Sequence, residues 1–449
     1  MNLKWLFARL TGGGGLLALL TLMIGGLFKI AAFAREAFIA SHFGLSSFTD
    51  AYFAFQQFPL MLVTFMFGAF ALAFTPAYAA QKRDSGAVAW LPGLVFYSSV
   101  LGLLLTVVSA ASANWLIPAF TNSPSAHSAS TLLILSCAFL PAIWLGIWAG
   151  ITIANGHNVR AMFVAGLPYL FMTILMILLY KVGKLDDLTL PISFLAGFGL
   201  IGGCTLGQVL VTECKNTDVR TVLRTWRMPG FRLFLKQLTA SSVENICFSA
   251  NQLLLVFFLA KAGTGAVSAN TCAMRVGMLG FSLLGQPLAQ LVQSRLCAAH
   301  GTQLLEVFKK WLLAISAVVL IFAAALYTAR VPVTSLVYLR GKFSTLELDR
   351  VVEIMPAWLA YFVVASLNAI VARYLFSKSQ GGSYVRRQVG AYLAANLIRA
   401  ALWGRLSAPM LIWCSVLTEG CAFLVSLWTC LQSTQISARV PELAAVQEG

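Results

Sequence analysis

Acidic side chains are scarce, with fifteen Asp and Glu in 449 residues against thirty-one Lys and Arg, and there are only four histidines. That shortage removes most catalytic chemistries. No helix offers paired carboxylates, no HExxH, P-loop or GxSxG motif occurs, and His42, His127, His157 and His300 fall in or near predicted loops. No enzyme site is expected, and transport without a nucleotide site must draw on an ion gradient, the membrane potential or the substrate's own gradient. The nine cysteines include no CxxC pair and no histidine partner at ligand spacing, so buried free thiols are expected, with no metal centre.

Charged residues of both signs make up only 10% of the chain and hydrophobic ones 59%, more apolar surface than a soluble core can bury. The expected fold class is an all-α polytopic membrane protein. Apolar runs of ~20 residues suit a ~30 Å hydrocarbon core. Twelve are found, near 14–41, 50–79, 88–111, 129–154, 158–180, 189–212, 238–260, 266–296, 310–329, 353–376, 385–403 and 407–431. Lys4 and Arg9 before the first run, with Ala-Phe-Ala at 32–34, imitate a cleaved signal peptide. Lys29 interrupts that run and the run is too long, so it is kept as the first span.

The net charge of +16 would suggest nucleic acid in a soluble domain, but here the basic residues sit in short loops, where they set topology. Lys82, Arg83, Arg160, the series from Lys215 to Lys236, Arg295, Lys309, Lys310, Lys378, Arg386, Arg387 and Arg439 fall on alternate loops with the N-terminus, while 42–49 and 112–128 hold no Lys or Arg. Both termini are therefore expected in the cytoplasm. The loop 330–352 argues against that count, since Arg330, Arg340, Lys342 and Arg350 lie on its predicted outer side.

The basic stretch 213–237 reads as an amphipathic cytoplasmic linker between two six-helix lobes, 1–212 and 238–432, with 433–449 as a cytoplasmic tail. The lobes look related. Gly44, Asp50-Ala51, Gly68 and Pro76 in the first match Gly263, Ala269-Asn270, Gly285 and Gln293 in the second after a two-residue gap. Two pseudo-symmetric bundles around a midplane site is a common transporter plan.

Charges inside the spans mark the candidate site. Lys29, Arg35 and Glu36 interrupt the first run, Asp50 opens the second, and Glu244, Arg275, Arg373, Arg399 and Glu419 lie in the second lobe. An ionisable group near a bilayer centre costs roughly 2.5–3.5 kcal/mol on insertion scales, so three in one span imply a protein-lined, watered cavity. Lys29 and Glu36 share a helix face two turns, ~10 Å, apart, while Arg35 points about 120° away from Lys29. Arg275 is the most deeply placed of the second group. Arg373, Arg399 and Glu419 suit an interfacial position equally well.

The pattern K-x5-R-E-x7-G-x5-D-A from Lys29 through Arg35-Glu36, Gly44 and Asp50-Ala51, followed by Pro59, GAF at 68–70 and AFTP at 73–76, resembles the MviN/MurJ lipid II flippases. Ala273-Met274-Arg275 and the Gly-rich, Leu-rich helix after it are similar to the family's seventh and eighth helices, more faintly. The resemblance implies about a dozen helices in two bundles around a central cationic cavity, opened alternately to cytoplasm and periplasm in the bacterial inner membrane. It implies a flippase for a polyprenyl-diphosphate-linked sugar, with Lys29, Arg35, Asp50 and Arg275 as substrate-binding residues and Glu36 and Glu244 as candidates for coupling or gating. No cofactor is implied, coupling being to membrane potential or a monovalent cation. The partners would be the lipid-linked oligosaccharide and membrane lipids, with the protein a monomer.

This chain departs from the family pattern in several places. Basic residues expected shortly after Pro59 are Val63 and Thr64, an acidic residue expected before Gly68 is Phe67, and position 274 is Met. Two further C-terminal helices common in the family are not matched after the twelfth run. A flippase of an exopolysaccharide or O-antigen unit fits the same residues, as does, less well, a cation-coupled multidrug exporter, which would need acidic residues in its cavity. A non-transporting scaffold would retain the fold alone.

Overall fold

Glycine, proline and the caps decide where the helices of this chain stop, and the stops recur. The computed structural model describes residues 13–447 apart from 67–69, 71–72, 76, 79–80, 83–87, 122–126, 156, 216–218, 286–287, 289–291, 293–295, 297–302 and 379. Among the described residues all regular structure is helical. The fold is all-α, as the composition requires.

The first six runs form a long α1 (Gly13–Phe43), α2 (Ser47–Phe65), α3 (Leu91–Ala111), a short α4 (Ala113–Phe120), α5 (Ser128–Ser136) with α6 (Phe139–Ala154), α7 (Asn158–Lys181) and α8 (Thr189–Glu213). Gly44, at φ 69, ends α1 in the left-handed region that glycine enters without penalty. Ser46 then starts α2 through a capping box with Thr49. The run 129–154 is broken at Cys137 and Ala138, because Pro141 has no N–H to offer the Cys137 carbonyl and its ring crowds that carbonyl.

The second half repeats the order. A short α9 (Val219–Arg224) leads into α10 (Pro229–Ala262), then α11 (Ala266–Gly277), α12 (Gln303–Thr328), a short α13 (Arg330–Tyr338), α14 (Thr345–Ser377), α15 (Gly381–Ala401) and α16 (Ala408–Gln447). Gly263, at φ 138, separates α10 from α11 as Gly44 separates α1 from α2. Wide π turns follow in both halves, at Met66 and at Phe70 and at Phe281–Gly285. The kink between α3 and α4 at Ser112 (φ −88, ψ 6) recurs between α12 and α13 at Ala329 (φ −89, ψ 6). The two halves are thus built to one plan. That plan also explains the basic loop 330–352: most of it is helix, α13 followed by the start of α14, which Ser344 caps through Glu347.

Eight described helices are long and apolar enough to cross a membrane. The other four expected runs fall on α1, on α2 and its continuation, on α11 and the π turn after it, and on α15, which carries Arg386, Arg387 and Arg399. Exposed aliphatic side chains such as Leu103, Leu104 and Val107 on α3 and Leu313, Leu320 and Ile321 on α12 suit lipid contact.

The chain forms two compact units. One holds the described residues up to Ser249 together with Gly263–Ser268, and the other holds Ala250–Ala262 and Ala269 onward. In the first unit, Phe231 and Phe234 from the start of α10 are buried against Phe74 and Trp90, the Trp90 and Phe234 rings stacking at 5.5 Å. The basic stretch 213–237 therefore packs its apolar face into protein, while Arg232 and Lys236 stay exposed. In the second unit, Phe308, Phe362, Ile370 and Tyr374 form the core between α12 and α14.

Candidate functional site

On α1, Arg35 and Glu36 are each 1% exposed, and their side chains meet as an ion pair, Nη2 to Oε1 at 2.8 Å. Neighbours on a helix leave it about 100° apart, so only two long, bending side chains can converge this way. The rest of the Arg35 guanidinium is held softly by α7. Its Nη1 lies 3.7 Å from the Met172 sulfur, and its carbon lies 5.3 Å from the centre of the Tyr169 ring. Both are weak partners for a buried cation, worth far less than a second carboxylate. Arg35 Nε makes no hydrogen bond, nor do Tyr52 Oη and Gln56 Nε2 on α2, and Tyr52 lies within electrostatic reach of both charges. The first unit therefore has a polar interior, closed to solvent in this structure. Neither Arg35 nor Glu36 snorkels to the membrane surface.

Lys29 lies on α1 about one and two-thirds turns before Arg35; its side chain lies outside the described residues. Asp50, in the first turn of α2, is buried and fully engaged. Its carboxylate accepts the Gly265 N–H, the Ser268 N–H at 2.8 Å and the Ser268 hydroxyl at 2.7 Å. It thus caps the first turn of α11, whose orphan N–H groups and dipole both favour an anion. Arg275 stands in the last turn of that helix, half-buried, at the end where the dipole favours a cation. Glu244 is half-buried on α10. Of the expected site residues, the structure brings Arg35 and Glu36 together; Asp50 and Glu244 belong with them to the first unit and Arg275 to the second.

Two polar groupings lie outside the expected set. Lys82 Nζ reaches Tyr78 Oη at 2.8 Å, Glu213 Oε1 at 3.3 Å and Asn155 Oδ1 at 3.4 Å. The ends of the second, fourth and sixth spans therefore lie together, as alternate loops require. Burial works against the Lys82 charge, but its bonds and attraction to Tyr78 and Glu213 outweigh that and hold its pKa above the usual lysine value.

The second grouping corrects an expectation. Arg399 and Glu419 are not interfacial: they are 0% and 3% exposed in the interior of the second unit, Arg399 among Asn251, Asn396, Leu411 and Ser415, and Glu419 accepting the Tyr361 hydroxyl. A signal was present in the sequence. Asn251 and Asn396 are amides inside apolar runs, and Asn396 precedes Arg399 by three residues, on the same helix face.

Residues 39–385 match the family model described as lipid II flippase MurJ. A lipid II flippase MurJ from Burkholderia cenocepacia is 24% identical over 389 residues, covering 83% of this chain and 75% of that protein. A probable lipid II flippase MurJ from Buchnera aphidicola is 26% identical over 76% of this chain and 69% of its own length. Among solved structures, a lipid II flippase MurJ in an inward closed conformation superposes with a TM-score of 0.78 at 17% identity, over 92% of this chain and 87% of its own. An inward-facing multidrug transporter of the MATE family superposes with a TM-score of 0.74 at 14% identity, over 94% and 99%. Those superpositions establish the fold, and the family model covers most of the sequence: the chain belongs to the MurJ lipid II flippase family.

Proposed function

We propose that this protein flips a polyprenyl-diphosphate-linked sugar, lipid II or a close analogue, from the cytoplasmic to the periplasmic leaflet of the bacterial inner membrane by alternating access. The observation that carries the reading is the family match across residues 39–385. The geometry of the first unit suits it. A diphosphate crossing hydrocarbon needs a polar path and counter-charges, which Arg and Lys supply through charge-assisted hydrogen bonds. Arg35 is held by one carboxylate, a sulfur and a ring face, so an incoming phosphate offers it a stronger set of acceptors than it has at rest.

In this reading Lys29, Arg35 and Arg275 are substrate-binding residues. Glu36 holds Arg35 until substrate replaces it, and Asp50 acts through α11, positioning the helix that carries Arg275. Glu244 is a candidate for coupling to the membrane potential or a monovalent cation. Both termini face the cytoplasm, the protein works as a monomer and needs no cofactor. The replacement of expected basic residues by Val63 and Thr64 favours, as a second reading, a lipid-linked repeat unit of another polysaccharide. Transport of fluorescent polyprenyl-diphosphate sugars in proteoliposomes tests both: preference for the peptidoglycan precursor supports the first, and preference for another glycan the second. Failure to move either overturns the flippase reading.

A further inference from the structure

Arg399 is a buried cation that the proposed function leaves unused. Its guanidinium spends its donors on four acceptors, all neutral oxygens: the Leu411 carbonyl (2.9 Å), Asn251 Oδ1 (2.8 Å), Asn396 Oδ1 (2.9 Å) and Ser415 Oγ. These come from α10, α15 and α16, all within the second unit. The oxygens are tied to one another as well, since Asn396 Nδ2 donates to Asn251 Oδ1 at 3.1 Å and Asn251 Nδ2 to Ser415 Oγ at 3.4 Å. Glu419, one turn beyond Ser415, is engaged by the Tyr361 hydroxyl at 3.0 and 3.1 Å.

A buried arginine ordinarily forks onto a carboxylate. Here a carbonyl, two amides and a hydroxyl take its hydrogen bonds instead, and Glu419 acts on it only as a charge without a hydrogen bond to it. Such a set of neutral dipoles is what replaces the hydration shell of a single positive ion, and although Asn251 Oδ1 and Ser415 Oγ also accept from neighbouring amides, the guanidinium is the one group that all four oxygens share. We propose that this shell is a monovalent-cation site whose cation is the protein's own: the Arg399 guanidinium occupies it, so α10, α15 and α16 are clamped together without any dissolved ion. The second unit is then ordered equally in sodium, potassium or choline salts, and coupling to a dissolved cation does not run through this shell.

The test is thermal unfolding of the full-length protein in detergent micelles. Wild type should melt at one temperature in sodium, potassium and choline chloride at equal ionic strength. Arg399→Ala should melt several degrees lower, and ethylguanidinium, which replaces the lost group, should recover more than half of that loss in a saturable way. Ethylurea has nearly the same shape without the charge and should recover little. The proposal is overturned if the alanine variant is as stable as wild type, if ethylurea rescues as well as ethylguanidinium, or if wild type is itself stabilised by sodium. Should Arg399→Ala fail to accumulate, Arg399→Lys and Arg399→Met decide. Lysine keeps the charge but cannot fork to all four oxygens, so it should melt between wild type and Met; Lys no better than Met overturns the proposal.

Discussion

Arg35 and Glu36 are buried opposite charges joined as an ion pair. Removing one partner of such a pair leaves the other uncompensated and costs about 3–5 kcal/mol, whereas replacing both by apolar residues is often neutral. Arg35→Met alone and Glu36→Met alone should each lower the amount of folded protein and its melting temperature, and the double variant should recover both. Transport should not return in the double variant, because the diphosphate's counter-charge is gone; a double variant that flips normally would show that the pair is only structural. Asp50 carries a smaller load. Asp50→Asn keeps the size but loses the anion at the N-terminus of α11, so the melting temperature should fall by the equivalent of about 1 kcal/mol. Calorimetry would detect this, and an unchanged transition would mean that the cap contributes nothing.

At the scale of elements, the repeated glycine stops are the sharpest check on the fold. A methyl group added at Gly263 would meet no atom within 4 Å, so Gly263→Ala should destabilise only through its backbone at φ 138, by about 1–3 kcal/mol. Gly203, equally open but inside α8, is the control: Ala there should be neutral or stabilising by about 0.5–1 kcal/mol. Equal effects at the two sites would contradict the turn geometry. The start of α8 adds a pH test. Asp186 accepts the Thr189 N–H at 2.8 Å and the Leu188 N–H at 3.0 Å, and those bonds, Thr189 first, hold its carboxyl below the ordinary carboxylate value. A pKa lowered by folding stabilises above the unfolded value and loses that contribution as pH falls through the folded one. Asp186→Asn should therefore show a flatter acid limb of stability against pH than wild type, and parallel limbs would mean that these two bonds contribute nothing.

Much of this is legible in the sequence, element by element. Length and hydropathy give the helices, Gly44 and Gly263 give the turns, and the paired motifs give the repeated plan, because each depends on local chemistry. The broken helix at Cys137 and Ala138 is hidden, since one apolar run looks the same whether or not Pro141 divides it. Arg35 and Glu36 stand out as charges where charges are costly. Their pairing does not, because adjacent positions on a helix diverge and only the real rotamers bring them together. The burial of Arg399 is signalled only by the amides Asn251 and Asn396 inside apolar runs, for a related reason: the oxygens that make it tolerable come from residues as distant as Asn251 and Ser415, and no single run shows them together.

For the whole molecule, the central claim is that basic side chains from both halves carry a lipid-linked diphosphate across the membrane. Arg35 and Arg275 belong to different compact units. Arginine suits the diphosphate through its planar fork, which lysine lacks while keeping the charge. The most direct measurement is translocation of a fluorescent polyprenyl-diphosphate sugar by proteoliposomes holding equal amounts of folded wild type, Arg275→Ala and Arg275→Lys, with Arg35→Lys alongside. The account predicts transport by wild type, none by Arg275→Ala and partial transport by both lysine variants. Full transport by well-folded Arg275→Ala would contradict it.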